Sequence, residues 1–218
     1  MKPVAGTKYY SNTREEILDF IPAGSVRVLD VGCGGGGFGR TLKAARAVEV
    51  WGVEPVAEAA AMARADLDRV VEGYFDPAVD LPRGYFDAIT FNDSLEHFPD
   101  VFPPLKLAAE LLRPGGVIVV SLPNFRYLEN IKHILIEKDF CYADNGILDR
   151  THLRFFTLKS MQRMFQEAGL VVLETRGINP HWWSGWKIRL LRLLFGRHLD
   201  DMKYLQYVSV VQPAPPTS

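Results

Sequence analysis

The stretch Val28-Leu29-Asp30-Val31-Gly32-Cys33-Gly34-Gly35-Gly36-Gly37-Phe38-Gly39 constrains this chain more than any other. An apolar run ends in an acid and opens into a loop made almost wholly of glycine. Glycine lacks a Cβ and tolerates positive φ, so such a loop can lie directly against a ligand. The pattern predicts a buried strand, a tight loop and then a helix over about Phe38 to Arg46. The first amides of that helix point at whatever rests on the loop, and their partial positive charge suits an anion. Strand, loop and helix together make the ligand-side corner of a doubly wound α/β sheet.

Two cofactor classes fit that corner. Gly32-x-Gly34-x-x-Gly37 satisfies the dinucleotide fingerprint. Asp30, just before the loop, argues the other way, because a carboxylate repels a pyrophosphate and suits a cationic group. S-adenosyl-L-methionine carries an ammonium and a sulfonium, with one carboxylate for the helix end. The next predicted strand, Val48 to Glu54, ends in an acid roughly 20 residues beyond the loop, where a carboxylate can accept both ribose hydroxyls. Both cofactors offer those hydroxyls. Pro55 and Val56 would then line the adenine, and a helix from Ala57 to Ala65 follows.

Composition narrows the class of protein. The 218 residues suit one α/β domain with a real core. Hydrophobic content of 48% and charged content of 23% are those of an ordinary globular chain. A formal net charge of -1 gives no global attraction to nucleic acid. Cys33 and Cys141 make no disulfide framework and are expected to be reduced thiols in a cytoplasmic protein. Met1 to Thr7 lacks the apolar core of a signal peptide, and no run reaches the roughly 20 apolar residues of a spanning helix.

The glycine stretch resembles motif I of the class I S-adenosylmethionine-dependent methyltransferases, whose usual form is close to LDxGCGxG. Two further strings carry the resemblance. Asn92-Asp93-Ser94-Leu95-Glu96-His97 follows the predicted strand Gly84 to Asn92, and Arg113-Pro114-Gly115-Gly116 precedes the apolar strand Val117 to Leu122. A third string, Leu148-Asp149-Arg150-Thr151-His152-Leu153-Arg154-Phe155-Phe156-Thr157, is similar to a signature of one large subfamily often tied to sugar and cell-envelope pathways.

The resemblance implies a Rossmann-like, doubly wound seven-stranded sheet, mostly parallel with one antiparallel strand near the C-terminus. It implies a single domain over residues 1–211, an N-terminal lid over 1–24, a helical insertion over 179–203 and a disordered tail over 212–218. Tyr10 and Arg14 would cover the cofactor and hold its carboxylate. Asp30, Gly32, Cys33, Gly34, Glu54, Pro55 and Asn92 would complete the cofactor site, Asn92 through its backbone. The family usually places a Gly-Asp pair after the third strand, here near Arg69 to Val71. Tyr74 stands at the acid's position, so Phe75 would stack on the adenine or Asp76 would substitute for the missing acid.

The reaction implied is O-methylation of a small-molecule, sugar or lipid-linked acceptor. Methyl transfer is an in-line displacement, so positioning dominates, and a hydroxyl acceptor must also lose a proton. His152 is the first candidate base and His97 the second, with Asp149, Arg150 and Arg154 orienting base or acceptor. No metal is expected to be needed, and no His, Cys and acid cluster with metal-ligand spacing stands out in the sequence. The run Trp182 to Arg197 alternates apolar and basic residues. It is open to a packing role, an acceptor lid, a homodimer face or peripheral membrane contact. An NAD-dependent oxidoreductase and a non-catalytic cofactor-binding partner domain are the competing functions. No nucleic-acid partner is expected, since no Asn-Pro-Pro-Tyr run for a flipped base follows the fourth strand.

Overall fold

The structure, a computed structural model, describes residues 13–181, residue 193 and residues 196–215. Seven strands form one sheet: β1 (Arg27–Val31), β2 (Glu49–Glu54), β3 (Arg69–Glu72), β4 (Phe86–Asn92), β5 (Leu112–Pro123), β6 (Leu170–Pro180) and β7 (Tyr204–Pro213). Their order is β3-β2-β1-β4-β5-β7-β6. Pairings among the first five are parallel, and β7 runs antiparallel to both neighbours. The sheet is therefore the expected Rossmann-like one, with β7 as its antiparallel member.

Successive residues on a strand face opposite sides of a sheet. That alternation divides the core. Leu29, Ile89, Phe91, Ile118 and Val120 face one layer, with the helices α3 (Phe102–Leu111) and α5 (Leu158–Glu167) over them. Val28, Val50, Ala88, Val117 and Val119 face the other, under α1 (Gly37–Ala45) and the 3-10 turn Glu15–Phe20. Coverage of both faces explains why β1, β4 and β5 read as near-continuous apolar runs.

Local chemistry sets the boundaries. Prolines 103 and 104 stand in the first turn of α3, where a missing N–H costs nothing. Thr157 caps α5 through a reciprocal box with Ser160. Gly39 lets α1 lie close on the sheet. A Cβ there would stand 2.3 Å from Leu67 Cδ2 and 2.9 Å from Val50 Cγ1. The short helices α2 (Ala57–Ala63) and α4 (Leu128–Lys132), the latter running on into a π-turn over His133–Glu137, complete the described helices.

Three expectations shift. The N-terminal lid helix is, from Glu15, a 3-10 turn with its preceding residue Arg14 in left-handed backbone (φ 48°). Residues 212 and 213 are not tail. Gln212 and Pro213 pair with Val171 and Leu170, extending the β6–β7 ladder further than the proline-rich composition suggested. The insertion set at 179–203 starts late, because β6 continues to Pro180 before a chain that returns as the 3-10 segment Gly196–Lys203. Most of Trp182 to Arg197 lies outside the described residues. No described helix is long and apolar enough to cross a membrane.

Candidate active site

β1 and β4 are neighbours whose onward connections diverge to opposite sides of the sheet, so a crevice opens at their carboxyl ends. A cavity of about 1210 Å³ occupies that crevice. It exceeds the usual 300–1000 Å³ of a single-ligand pocket, which leaves room for a cofactor and an acceptor together.

The half nearest the glycine loop is acidic. Asp30, at the end of β1, is buried and accepts from Thr90 Oγ1 at 2.6 Å and from Asn92 Nδ2 at 3.0 Å, both on Oδ1. Burial outweighs those bonds and raises its pKa to about 6. Glu54, at the end of β2, accepts the Gly34 N–H and the Val56 N–H at 2.9 Å each, one per oxygen. It thus braces the turn into α2 and the loop at once, and burial raises its pKa as well. Each of its oxygens keeps a second lone pair. Asn92 Oδ1 is buried with no partner among the described residues.

Gly32 sits at φ +76°, where its N–H reaches Val53 O at 2.8 Å. No side chain caps α1, so its first amides stay free toward the loop. Pro55, Val56 and the buried Phe75 line the cavity, and Phe75 packs edge-on against Phe91.

Arg14 reaches this floor but is already engaged. Its guanidinium pairs with Asp93 and donates to Ser121 Oγ at 2.7 Å, while Ser121 and Gln206 also donate to Asp93. Asp93 itself holds a left-handed backbone (φ 52°) directly after β4. Sequence reasoning placed Arg14 at the cofactor carboxylate. The geometry makes it a buried tie between the N-terminal segment and the turn after β4. Gln206 and Ser121 carried no motif signal.

The other half gathers Glu96, His97 and His152. The Glu96 carbonyl accepts both the Leu153 and the Arg154 N–H, at 2.9 and 3.1 Å, which locks the turn after β4 to the turn before α5. Asn124, directly after β5, bridges to Phe156 and so ties the turn before α5 to that strand end as well. His97 Nδ1 lies 3.1 Å from Thr151 O, and His152 Nδ1 lies 3.0 Å from Ile147 O. A carbonyl can only accept, so both Nδ1 atoms carry the proton and both Nε2 atoms present lone pairs. The rings stand edge to face with centroids 4.9 Å apart. Burial, and then the neighbouring His152, lower the His97 pKa.

Glu96 is wholly buried with neither carboxylate oxygen hydrogen-bonded among the described residues, 3.7 Å from His152 Nε2. Burial first, and then the Asp93 charge, push its pKa well up. The sequence showed the Leu-Glu-His triplet but gave no reason to prefer its acid, and no sign that His152 would join it.

Several predicted residues are used otherwise. The Cys33 thiol turns into the core against Gly52, where an added Cβ would lie 2.5 Å from Sγ, so only its backbone belongs to the loop. Asp76 caps its own turn through the Ala78 N–H. Asp149 spends its Oδ1 on the Thr151 N–H and hydroxyl, and Arg150 pairs with the exposed Asp144 at 2.7 Å. Arg154 donates to Pro99 O and does not line the cavity. These three, expected to orient the base or the acceptor, brace the turn that carries His152, and Asp149 and Arg150 also line the cavity. Tyr10 lies outside the described residues.

Comparison with known proteins places this geometry. A family described as "Methyltransferase domain" matches residues 7–175. The ubiquinone biosynthesis O-methyltransferase of Neisseria meningitidis is 28% identical over 165 residues, 71% of this chain and 68% of that one. The protein of the same description from Chromobacterium violaceum is 32% identical over 180 residues, 75% of each chain. Among solved structures, a SAM dependent methyltransferase from Archaeoglobus fulgidus superposes with a TM-score of 0.69 over 90% of both chains, at 20% identity.

Proposed function

The chain belongs to the methyltransferase-domain family, and from that premise we propose that it is an S-adenosylmethionine-dependent O-methyltransferase acting on a small-molecule, sugar or lipid-linked hydroxyl. One observation carries the reading. Asp30, Glu54 and Asn92, from three adjacent parallel strands, meet at one crevice, each keeping unused acceptor capacity.

The residues fit the cofactor. Asp30 would face its ammonium, Glu54 its ribose hydroxyls, and the Gly32–Gly34 loop with the start of α1 its carboxylate. Phe75, Pro55 and Val56 would flank the adenine. S-adenosylmethionine supplies an electrophilic methyl group when bound. The chain contributes by holding the acceptor oxygen in line and by taking charge of its proton.

Proton removal falls to the His97–His152 pair, with the order of the two reversed from that of the sequence reading. His97 is half-buried, lines the cavity and is held neutral, with Nε2 available. His152 is buried behind it with Nε2 turned to Glu96. His97→Ala is therefore expected to cut turnover by about 100-fold or more while sparing cofactor affinity. Equal turnover in variant and parent would remove His97 from the reaction.

The competing oxidoreductase would place a pyrophosphate beside Asp30. Thermal denaturation with S-adenosylhomocysteine and, separately, with NAD distinguishes the two. Stabilisation is expected with S-adenosylhomocysteine alone, and stabilisation with NAD alone would end the methyltransferase reading. The relatives' printed description as ubiquinone biosynthesis O-methyltransferases supports oxygen as the atom methylated.

A further inference from the structure

Glu96, His97 and His152 offer three ligand atoms within 4.8 Å of one another. The set is two imidazoles and one carboxylate, drawn from two separate turns that backbone bonds hold together. We propose that these three side chains bind a divalent first-row transition cation at the acceptor end of the cavity. The idea rests on the methyltransferase reading for its role but not for its existence.

Three features of the geometry carry it. Both imidazoles donate Nδ1–H to backbone carbonyls, Thr151 O for His97 and Ile147 O for His152. That is the arrangement that fixes tautomer and ring direction in metal-binding histidines, leaving Nε2 as the ligand. Glu96 is fully buried with both oxygens unpartnered among the described residues, a costly state that a cation would relieve. The 3.7 Å between His152 Nε2 and Glu96 Oε1 suits two ligands of one ion.

Ligands bonded at about 2.1 Å stand about 3.4 Å apart in a tetrahedral shell, so the widest pair, now no more than 4.8 Å, would close by up to about 1.4 Å.

The donor set also selects the ion. Two imidazole nitrogens and one carboxylate suit zinc, cobalt, nickel or iron(II), whereas magnesium and calcium prefer all-oxygen shells. Three protein ligands leave at least one position open toward the cavity. A hydroxyl oxygen of the acceptor taken up there would become more acidic and release its proton to water, the role a catalytic zinc plays for a bound water, so that in the metal-loaded protein His97 serves as a ligand and is the base only when the ion is absent.

The test uses the full chain, stripped with chelator and titrated with Co²⁺ alone. One equivalent should bind, with visible d–d absorption that Zn²⁺ abolishes and Mg²⁺ does not. In His152→Ala and in Glu96→Gln the affinity should fall by at least about 100-fold. Stabilisation by S-adenosylhomocysteine, measured on the same samples, reports whether each variant is folded and whether the cofactor half works.

Cobalt uptake below stoichiometry in the parent overturns the proposal. So does an unchanged cobalt spectrum in both folded variants. Full turnover of metal-free Glu96→Gln overturns it too, because Glu96 and His152 would then merely share a proton. Cobalt uptake without any effect of S-adenosylhomocysteine supports the cation site and defeats the methyltransferase reading. Stabilisation by S-adenosylhomocysteine without cobalt uptake does the reverse.

Discussion

Asp30→Asn should make the unliganded protein more stable at pH 7 and at the same time abolish its response to S-adenosylhomocysteine. The Asp30 carboxyl is buried, and its folded-state pKa is raised from 3.8 to about 6, mainly by burial. A raised pKa means that folding favours the protonated form. The stability this contributes is fully present below about pH 4 and is lost as pH rises through about 6.

Above that range the protein carries a buried charge at a cost of up to about 3 kcal/mol. Asparagine keeps an oxygen to accept from Thr90 and Asn92 but carries no charge. Urea melts should show parent stability falling between pH 4 and 6 more steeply than that of Asp30→Asn, in which Glu54 and Glu96 still titrate, and a gain of about 1–3 kcal/mol for the variant at pH 7.

Cofactor affinity runs the other way. A bound ammonium favours ionised Asp30, so parent affinity for S-adenosylhomocysteine should rise from pH 5 to pH 7, and the variant should show neither affinity nor slope. A variant less stable than the parent at pH 7, or one that still binds, contradicts this account of Asp30. The residue is destabilising for the empty fold because it is built for a cation.

Gly32→Ala is expected to give the largest loss of stability among single-methyl changes in the loop. Gly32 holds φ +76°, and a Cβ there would lie 2.8 Å from Ser94 Cβ. Ser94 cannot easily retreat, since its hydroxyl is bonded to Val31 O at 2.7 Å. Left-handed strain of about 1–2 kcal/mol and a steric clash of about 1–3 kcal/mol add to roughly 2–5 kcal/mol. For a chain of this size each kcal/mol lowers Tm by about 2–4 °C.

The loop must also shift away from β4, so affinity for S-adenosylhomocysteine should fall by about 10-fold or more, equivalent to at least about 1.4 kcal/mol. Gly24→Ala is the control, because its Cβ would meet nothing within 4 Å. Equal melting temperatures for the two variants would contradict the role assigned to Gly32.

What could be read from the chain alone was local. β1, the glycine loop and α1 follow from a continuous apolar run, positive-φ residues and a free helix start. Glu54 follows from its distance beyond the loop. The strand order β3-β2-β1-β4-β5-β7-β6 came from resemblance, since periodicity says which face of a strand is buried and not which strand lies beside it.

The acceptor side was the least legible part. His152 reaches Glu96 only because backbone bonds clamp the turn after β4 to the turn before α5. Neither turn has a periodic pattern that would announce it. The partners of Arg14 were illegible for a related reason. Its sequence position said it could reach the cofactor carboxylate, but nothing in the sequence said that Asp93, Ser121 and Gln206 would meet there first. Charge count alone cannot tell a cation reserved for a ligand from one neutralised by the fold.

The central claim is methyl transfer, and it is tested most directly with S-adenosylmethionine carrying a radiolabelled methyl group. The protein is incubated with that cofactor and a cell extract, and the label is then partitioned between water and organic solvent. The account predicts label in a non-protein acceptor, dependent on added enzyme and lost in Asp30→Asn and in His97→Ala. Label in the organic phase would identify a lipid or lipid-linked acceptor, and label in water a sugar or small acid. No transfer above the enzyme-free control, from a protein stabilised by NAD and not by S-adenosylhomocysteine, would contradict it.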